Sequence, residues 1–307
     1  MANDITALDA KLKSYLSANR DELISQALFN SKATNLFSLM TGVKNPQAII
    51  RVDVNAPLQD GSACGFTADG DDEYSNRVIT PVAVAVQKEW CPKDFLQSYK
   101  AQDIAIAAGR ETMPYEEKIL TLLSEKIADN IENLVLSGDT NNGDLMDGFA
   151  TLVAADITNS VIPAGNVVAK GSDDVLTRCQ KLWAACSADL GRRESTEIWL
   201  PIGMYKTLHT ELANANAFHI WKEYEGEYLM TMPAVPGLKI RGVSGLSDSA
   251  DVIYLFDTKE VFYAVDLENQ TEVFDFWFSQ DNQTFRFNCQ MMVGLNYAIP
   301  ENIYVNQ

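Results

Sequence analysis

Gly138 and Gly143, followed by Asp144, have the outer spacing of a phosphate-binding loop with the decisive charge reversed. Such a loop needs a lysine after its second glycine to reach the terminal phosphates, and a carboxylate there repels them. Nucleotide hydrolysis is therefore not expected. Asp69, Asp71 and Glu73 imitate the start of a calcium loop, but Tyr74 stands where the sharp turn needs glycine and Thr80 where a bidentate glutamate closes the cage. The two histidines, His209 and His219, are ten residues apart with no cysteine beside them, so a zinc site or a histidine-based triad lacks parts. Gly-x-Ser-x-Gly and the dinucleotide pattern Gly-x-Gly-x-x-Gly are both absent. No catalytic, cofactor-binding or metal-ligating residue is assigned on these grounds, and an enzyme is not expected.

Composition narrows the field further. The 307 residues carry a formal charge of −18, which argues against a nucleic-acid-binding surface, since neutralising phosphates requires clustered Lys and Arg. Arg192-Arg193 is the one adjacent basic pair and reads as a solvated turn. No run reaches the ~18 apolar residues of a membrane span, and the start MANDITALDAKLKSYL lacks the basic and apolar regions of a signal peptide, so synthesis in a cytoplasm is expected. Cys64, Cys91, Cys179, Cys186 and Cys289 are odd in number and scattered, as reduced residues would be. The triplets beginning at Asn269 and Asn282 match the glycosylation pattern, and without a secretory route both read as chance.

The elements around these residues show in the apolar periodicity. Ile119, Leu123, Ile127, Ile131 and Leu134 recur at steps of four and three, which predicts one amphipathic helix over 115–136, with Pro114 at its first position and Gly138 as its stop. About 22 residues at 1.5 Å each make a rod of roughly 33 Å. Glu116, Glu117, Glu125, Lys126, Asp129 and Glu132 are expected to cover its solvent side. Residues 1–45 are helical in pattern, with Ile5, Leu8, Leu12, Tyr15 and Leu16 on one face. Strands are expected at 49–54 and 78–86, the second interrupted by Pro81, with a polar Gly- and Asp-rich stretch between them. Further on come a helix over 172–190 capped by Ser172, a buried strand at 197–200, a short helix carrying Met204, Tyr205, Leu208 and Leu212, and strands at 238–243 and 252–256. Residues 272–278 and 284–291 alternate as the two arms of a long hairpin, and a last strand falls near 303–305.

The helix leading into LVLSGDTNNGDLMDGF (134–149), the segment VITPVAVAVQKEWCPKDFLQSY (78–99) and the strand-loop GLKIRGVSGL (237–246) occur in an order that resembles the tailed-bacteriophage major capsid proteins with the Hong Kong 97-type fold. The resemblance covers nearly the whole chain and lies in order and spacing. It implies an α+β fold with an N-terminal arm (1–48), an E-loop β-hairpin (49–87) and a peripheral P-domain (88–154) holding the spine helix 115–136. An α/β A-domain (155–262), a P-domain β-hairpin (263–290) and a return to the A-domain (291–307) complete it. It also implies self-assembly into hexamers and pentamers of an icosahedral shell that encloses double-stranded DNA without sequence-specific binding and without a membrane. The virion would be its location, and portal, scaffolding and decoration proteins its further partners. In part of that family an E-loop lysine joins an asparagine on a neighbouring hairpin; Asn282 sits at a suitable tip, but no lysine lies between Lys44 and Lys88, so a non-covalent shell is expected. An encapsulin-type nanocompartment shell is the alternative within the fold, and a soluble acidic enzyme the alternative outside it.

Overall fold

A computed structural model describes residues 2–29, 33–53, 70, 73–91, 115–214, 228–232, 235, 237–266 and 275–307. The end of the segment 78–99 from residue 92 on, the polar stretch 54–69, Asp71, His219 and Asn269 lie outside the described residues. The element order is α1 (Ala2–Phe29), β1 (Ser38–Thr41), β2 (Gln47–Asp53), β3 (Glu73–Ile79), β4 (Val82–Trp90), α2 (Tyr115–Ser137) and α3 (Phe149–Thr158). There follow β5 (Val167–Val168), α4 (Val175–Ala185), α5 (Ala188–Gly191), β6 (Thr196–Pro201), α6 (Ile202–Asn214), β7 (Leu229–Thr231) and β8 (Lys239–Val243). The last are β9 (Ile253–Asp257), β10 (Val261–Val265), β11 (Asp275–Ser279), β12 (Thr284–Tyr297) and β13 (Tyr304–Asn306).

The fourteen-residue β12 organises the first sheet. Phe285, Phe287, Cys289, Met291, Val293 and Leu295 fall on alternate positions and all are buried, so period two holds the whole strand to one core-facing side. Its first half pairs with β11 on one edge and β4 on the other, and its second half pairs with β10. The strand runs beyond the end expected at 291, and β10 spans the division expected between 262 and 263. Beside β10 lies β1, paired in parallel with Ser38 opposite Phe262. The helical reading of 1–45 is thereby corrected: the helix ends at Phe29, and 38–41 is a strand whose partner lies far along the chain.

The second sheet has six strands in the order β5-β13-β9-β6-β8-β7. Parallel β6 and β8 need a crossover between them, and α6 begins it directly after β6. On one face Ile198, Leu200, Ile240, Ile253 and Leu255 pack with Cys179, Leu182, Tyr205, Leu208 and Leu212 of α4 and α6. On the other face Trp199, Val243, Tyr254 and Phe256 join the larger core. The Phe149 ring lies 4.7 Å from Phe256 and 5.4 Å from Tyr254, while Phe37 stacks on Trp199 at 5.3 Å. The expected single helix over 172–190 is two, because Cys186 adopts an extended conformation and the Ser187 hydroxyl caps α5 by accepting from the Leu190 N–H. Ser172 is not the cap of the first: Asp174 holds that position, and the Glu211 carboxylate accepts from the N–H groups of Val175 and Leu176, each at 3.2 Å.

Helix α2 joins these parts. Leu120, Ile127, Ile131, Val135 and Leu136 are buried, with Ile119, Leu123 and Leu134 at the margin of the same face. Leu12, Leu16, Leu23 and Leu28 of α1 share that core, so this stretch packs on its own subunit. Glu132 does not cover the solvent side as expected: it is buried, and its Oε1 accepts from the Ser244 hydroxyl at 2.8 Å. The Ser137 hydroxyl donates to the Gly245 carbonyl, and a Cβ at Gly245 would come within 2.7 Å of the Leu136 side chain. Glycine there lets the loop after β8 seat against the end of α2.

Candidate assembly surface

The loop after α2 resolves the phosphate-loop likeness into local structure. Asp139 Oδ1 accepts from the backbone N–H and the amide of Asn141, and Oδ2 from the Asn142 amide. Asp144 accepts from the Asp139 N–H at 2.9 Å, and Asp147 from both N–H and hydroxyl of Thr140. The carboxylates hold the turn and occupy the N–H groups that a phosphate would require. Gly143 at φ +93° turns the chain in a conformation that costs other residues energy. Tyr74 is exposed in β3, Thr80 follows it, and His209 packs against Tyr205 on α6. Among the described residues no group of three His, Cys, Asp or Glu could hold a metal ion. No described helix is long and apolar enough to cross a membrane.

Several other titratable groups are tied into the fold. Arg193 is not simply solvated, since it pairs with Asp257 at 3.1 Å and with Glu260, whose hydrogen bond raises its pKa. Arg178 donates to Asp251 at 2.7 Å and Lys170 at 3.0 Å, and these bonds lower the Asp251 carboxyl pKa. Burial pushes the thiols of Cys179 and Cys289 up to about 12, so they are neutral core residues. Asn282 lies in the exposed turn between β11 and β12.

What the structure leaves conspicuously open is apolar surface. β2 and β3 form a separate two-stranded ribbon in which Val52 faces Tyr74, Ile50 faces Asn76 and Ala48 faces Val78. These residues share the outward face; Ile50 is 71% exposed, Val52 48%, Tyr74 72% and Val78 51%. The inward face carries Ile49 and Ile79, buried at the root with Val43 and Ala264, and beyond them Arg51 and Arg77. Arg51 reaches Glu301 at 3.0 Å and Arg77 reaches Asp156 at 2.6 Å. The sequence reading missed this inverted polarity. Its signal was there in the two arginines that alternate with apolar residues on paired strands. A mixed groove of about 430 Å³ lies beside α2, with Asn133, Asp144 and exposed Leu145 among its lining and the buried Ile127, Ile131 and Met291 at its floor.

The overall fold is shared with known structures. A subunit in the satellite phage P4 procapsid, solved with its size determination (Sid) protein, superposes with a TM-score of 0.63 over 98% of this chain and 97% of its own, at 9% identity. This is a Hong Kong 97-type capsid fold. A capsid subunit of an empty GTA particle has the fold too, with a TM-score of 0.58 and 14% identity over 90% of this chain and 89% of that one. So does a chain of the holo-SrpI encapsulin complex from Synechococcus elongatus PCC 7942, with a TM-score of 0.55 and 9% identity over 89% and 85%. No protein-family model matches the sequence, and no curated protein matches it. The Hong Kong 97-type architecture is thus carried here by backbone arrangement and apolar pattern, with little shared sequence.

Proposed function

We propose that this chain is the major capsid protein of a tailed phage, assembling through hexamers and pentamers into the icosahedral head that encloses the double-stranded DNA genome. The observation that carries the reading is a capsid-subunit fold across almost the whole chain, combined with an apolar ribbon face that its own subunit leaves uncovered. In symmetric assemblies such a face is buried against a copy of the same chain. In this reading 1–48 is the arm, 49–87 the E-loop, 88–154 and 263–290 the P-domain with 115–136 as spine, and 155–262 with 291–307 the A-domain. The described part of 82–87 lies in β4 and pairs with β12, so the free ribbon is the part formed by β2 and β3.

The function is mechanical and needs no catalytic residue. A net charge of −18 suits a container that holds DNA by closure and makes no sequence-specific contact with it. Portal, scaffolding and decoration proteins are the further partners, the virion is the destination, and the host cytoplasm is the place of assembly. With no lysine between Lys44 and Lys88 the shell is held without isopeptide bonds, and boiled particles run as a single band near the chain mass of 34.0 kDa.

The likeness to an encapsulin supports a second reading, a bacterial nanocompartment shell. Electron microscopy of the purified protein tests both. Shells or capsomer rings support shell building, and a monodisperse monomer at high concentration overturns it. Particles that incorporate a portal when one is coexpressed favour the phage head; particles loaded with a protein cargo and closed at every vertex favour the nanocompartment.

A further inference from the structure

The β2–β3 ribbon meets the body at one polar node. Arg77 donates from Nη1 to Asp156 Oδ2 at 2.6 Å and from Nε to Asn296 Oδ1 at 3.1 Å, and its guanidinium lies 4.3 Å over the Tyr297 ring. Asn296 returns a hydrogen bond from its amide to the Val78 carbonyl at 2.7 Å, and the Tyr297 hydroxyl donates to the same Asp156 oxygen. Strand β3, helix α3 and strand β12 thus converge on one guanidinium. The Arg77 and Asp156 side chains are 20% and 15% exposed, so water screens the pair little compared with Arg51–Glu301, at 26% and 54%.

The root of the ribbon is apolar, and apolar contact has no preferred direction. A two-stranded ribbon is marginal by itself and free to swing on such a root. Hydrogen bonds from a rigid planar fork do have direction. We infer that Arg77 is the positioning residue of the ribbon: through Asp156, Asn296 and Tyr297 it sets the angle at which the uncovered apolar face is presented to a neighbouring copy. The benefit to assembly rests on the shell reading, whereas the latch itself is a property of the single subunit.

Amide exchange on the unassembled subunit separates the two. In Arg77→Met the amides of 47–53 and 73–79 exchange about tenfold faster than in wild type, while those of β6 and β9 keep their rates. Arg77→Lys, which keeps the charge but loses the rigid donor fork and the flat stacking surface, falls between. Particle formation follows the same order, with Arg77→Met giving irregular particles or none and Arg77→Lys restoring part of the yield. Unchanged ribbon exchange in Arg77→Met, or an equal rise throughout the chain, overturns the latch. If Arg77→Met does not fold, Arg77→Lys and Asp156→Asn decide by the same comparison, faster exchange confined to the ribbon supporting the latch and wild-type ribbon exchange overturning it. Failure of the wild-type protein to assemble would sink the shell reading and leave the exchange result standing.

Discussion

The six-stranded sheet and the β2–β3 ribbon put their apolar residues to opposite use. In the sheet every residue of β6 is buried, because α4 and α6 cover one face and the larger core covers the other. Even its charge is enclosed with partners: Glu197 accepts from Trp199 Nε1 at 2.9 Å and from Arg241 at 2.8 and 3.2 Å. In the ribbon Arg51 and Arg77 turn inward, and Ile50, Val52, Tyr74 and Val78 face water. A fully exposed aliphatic side chain forgoes roughly 1.5–3 kcal/mol that burial would supply. The ribbon pairs Arg51 and Arg77 with its own subunit and leaves these four apolar residues in water, the inversion on which the proposed contact with a neighbouring copy rests.

The largest effect is expected at α2, whose buried face belongs to the larger core that also covers one side of the six-stranded sheet. Ile127→Asp places a carboxylate among apolar neighbours at a position 2% exposed, a cost of several kcal/mol against a typical stability of about 5–15 kcal/mol. The subunit should go to the insoluble fraction, and soluble, normally assembling protein would overturn the assigned helix face. Next in size is a matched pair of substitutions. Ile198→Ala in the covered sheet should cost about 2–5 kcal/mol and lower the Tm by roughly 5–15 °C. Ile50→Ser with Val52→Ser in the ribbon should leave the Tm within about 2 °C of wild type, as surface changes do, yet abolish particles in the microscope. If the ribbon pair melted like the sheet variant, its outward face would be covered by its own chain.

Smaller effects sharpen the contrast between enclosed and solvated groups. The folded-state pKa of Asp251 is depressed, first by its hydrogen bond from Arg178 and then by that from Lys170. Its contribution is therefore present above the unfolded value of about 3.9 and fades as pH falls through the lower folded one. The Tm advantage of wild type over Asp251→Asn should accordingly shrink on going from about pH 5 to pH 2. Solvent screens the pair, since the Asp251 side chain is 44% exposed. Smallest is the thiol pattern: mass-mapped alkylation at about pH 8 should modify exposed Cys91 and spare Cys179 and Cys289, whose thiols burial holds near 12. Rapid modification of Cys289 would mean that β12 opens from its core face.

How far the chain is legible depends on the distance over which each interaction acts. The periodicity of Ile119 to Leu134 marked α2, expected over 115–136 and found over 115–137. The alternation from Phe285 onward marked β12, though the strand runs past the end expected at 291, with Val293, Leu295 and Tyr297 continuing the buried face. The single helix over 172–190 failed at Cys186, where a serine cap began a new turn that periodicity had hidden. Glu132 was assigned to water because charge on a helix usually is solvated, and its hydroxyl partner comes from 112 residues away.

The sequence by itself determined the things that act over a few residues: the apolar stripes of the helices, the strand alternation, the Asp-rich turn after α2, and a charge balance hostile to phosphate. Those follow from side-chain period and local hydrogen bonding, which each segment carries with it. Only the tertiary structure decided that 38–41 is a strand, since its ladder is formed by 262–265. It alone decided that Arg77 meets Asp156 and Asn296, 79 and 219 residues away, and that the apolar side of the ribbon is the side left facing out. Alternation shows that a strand has two faces, but which face is covered depends on what the rest of the chain brings against it.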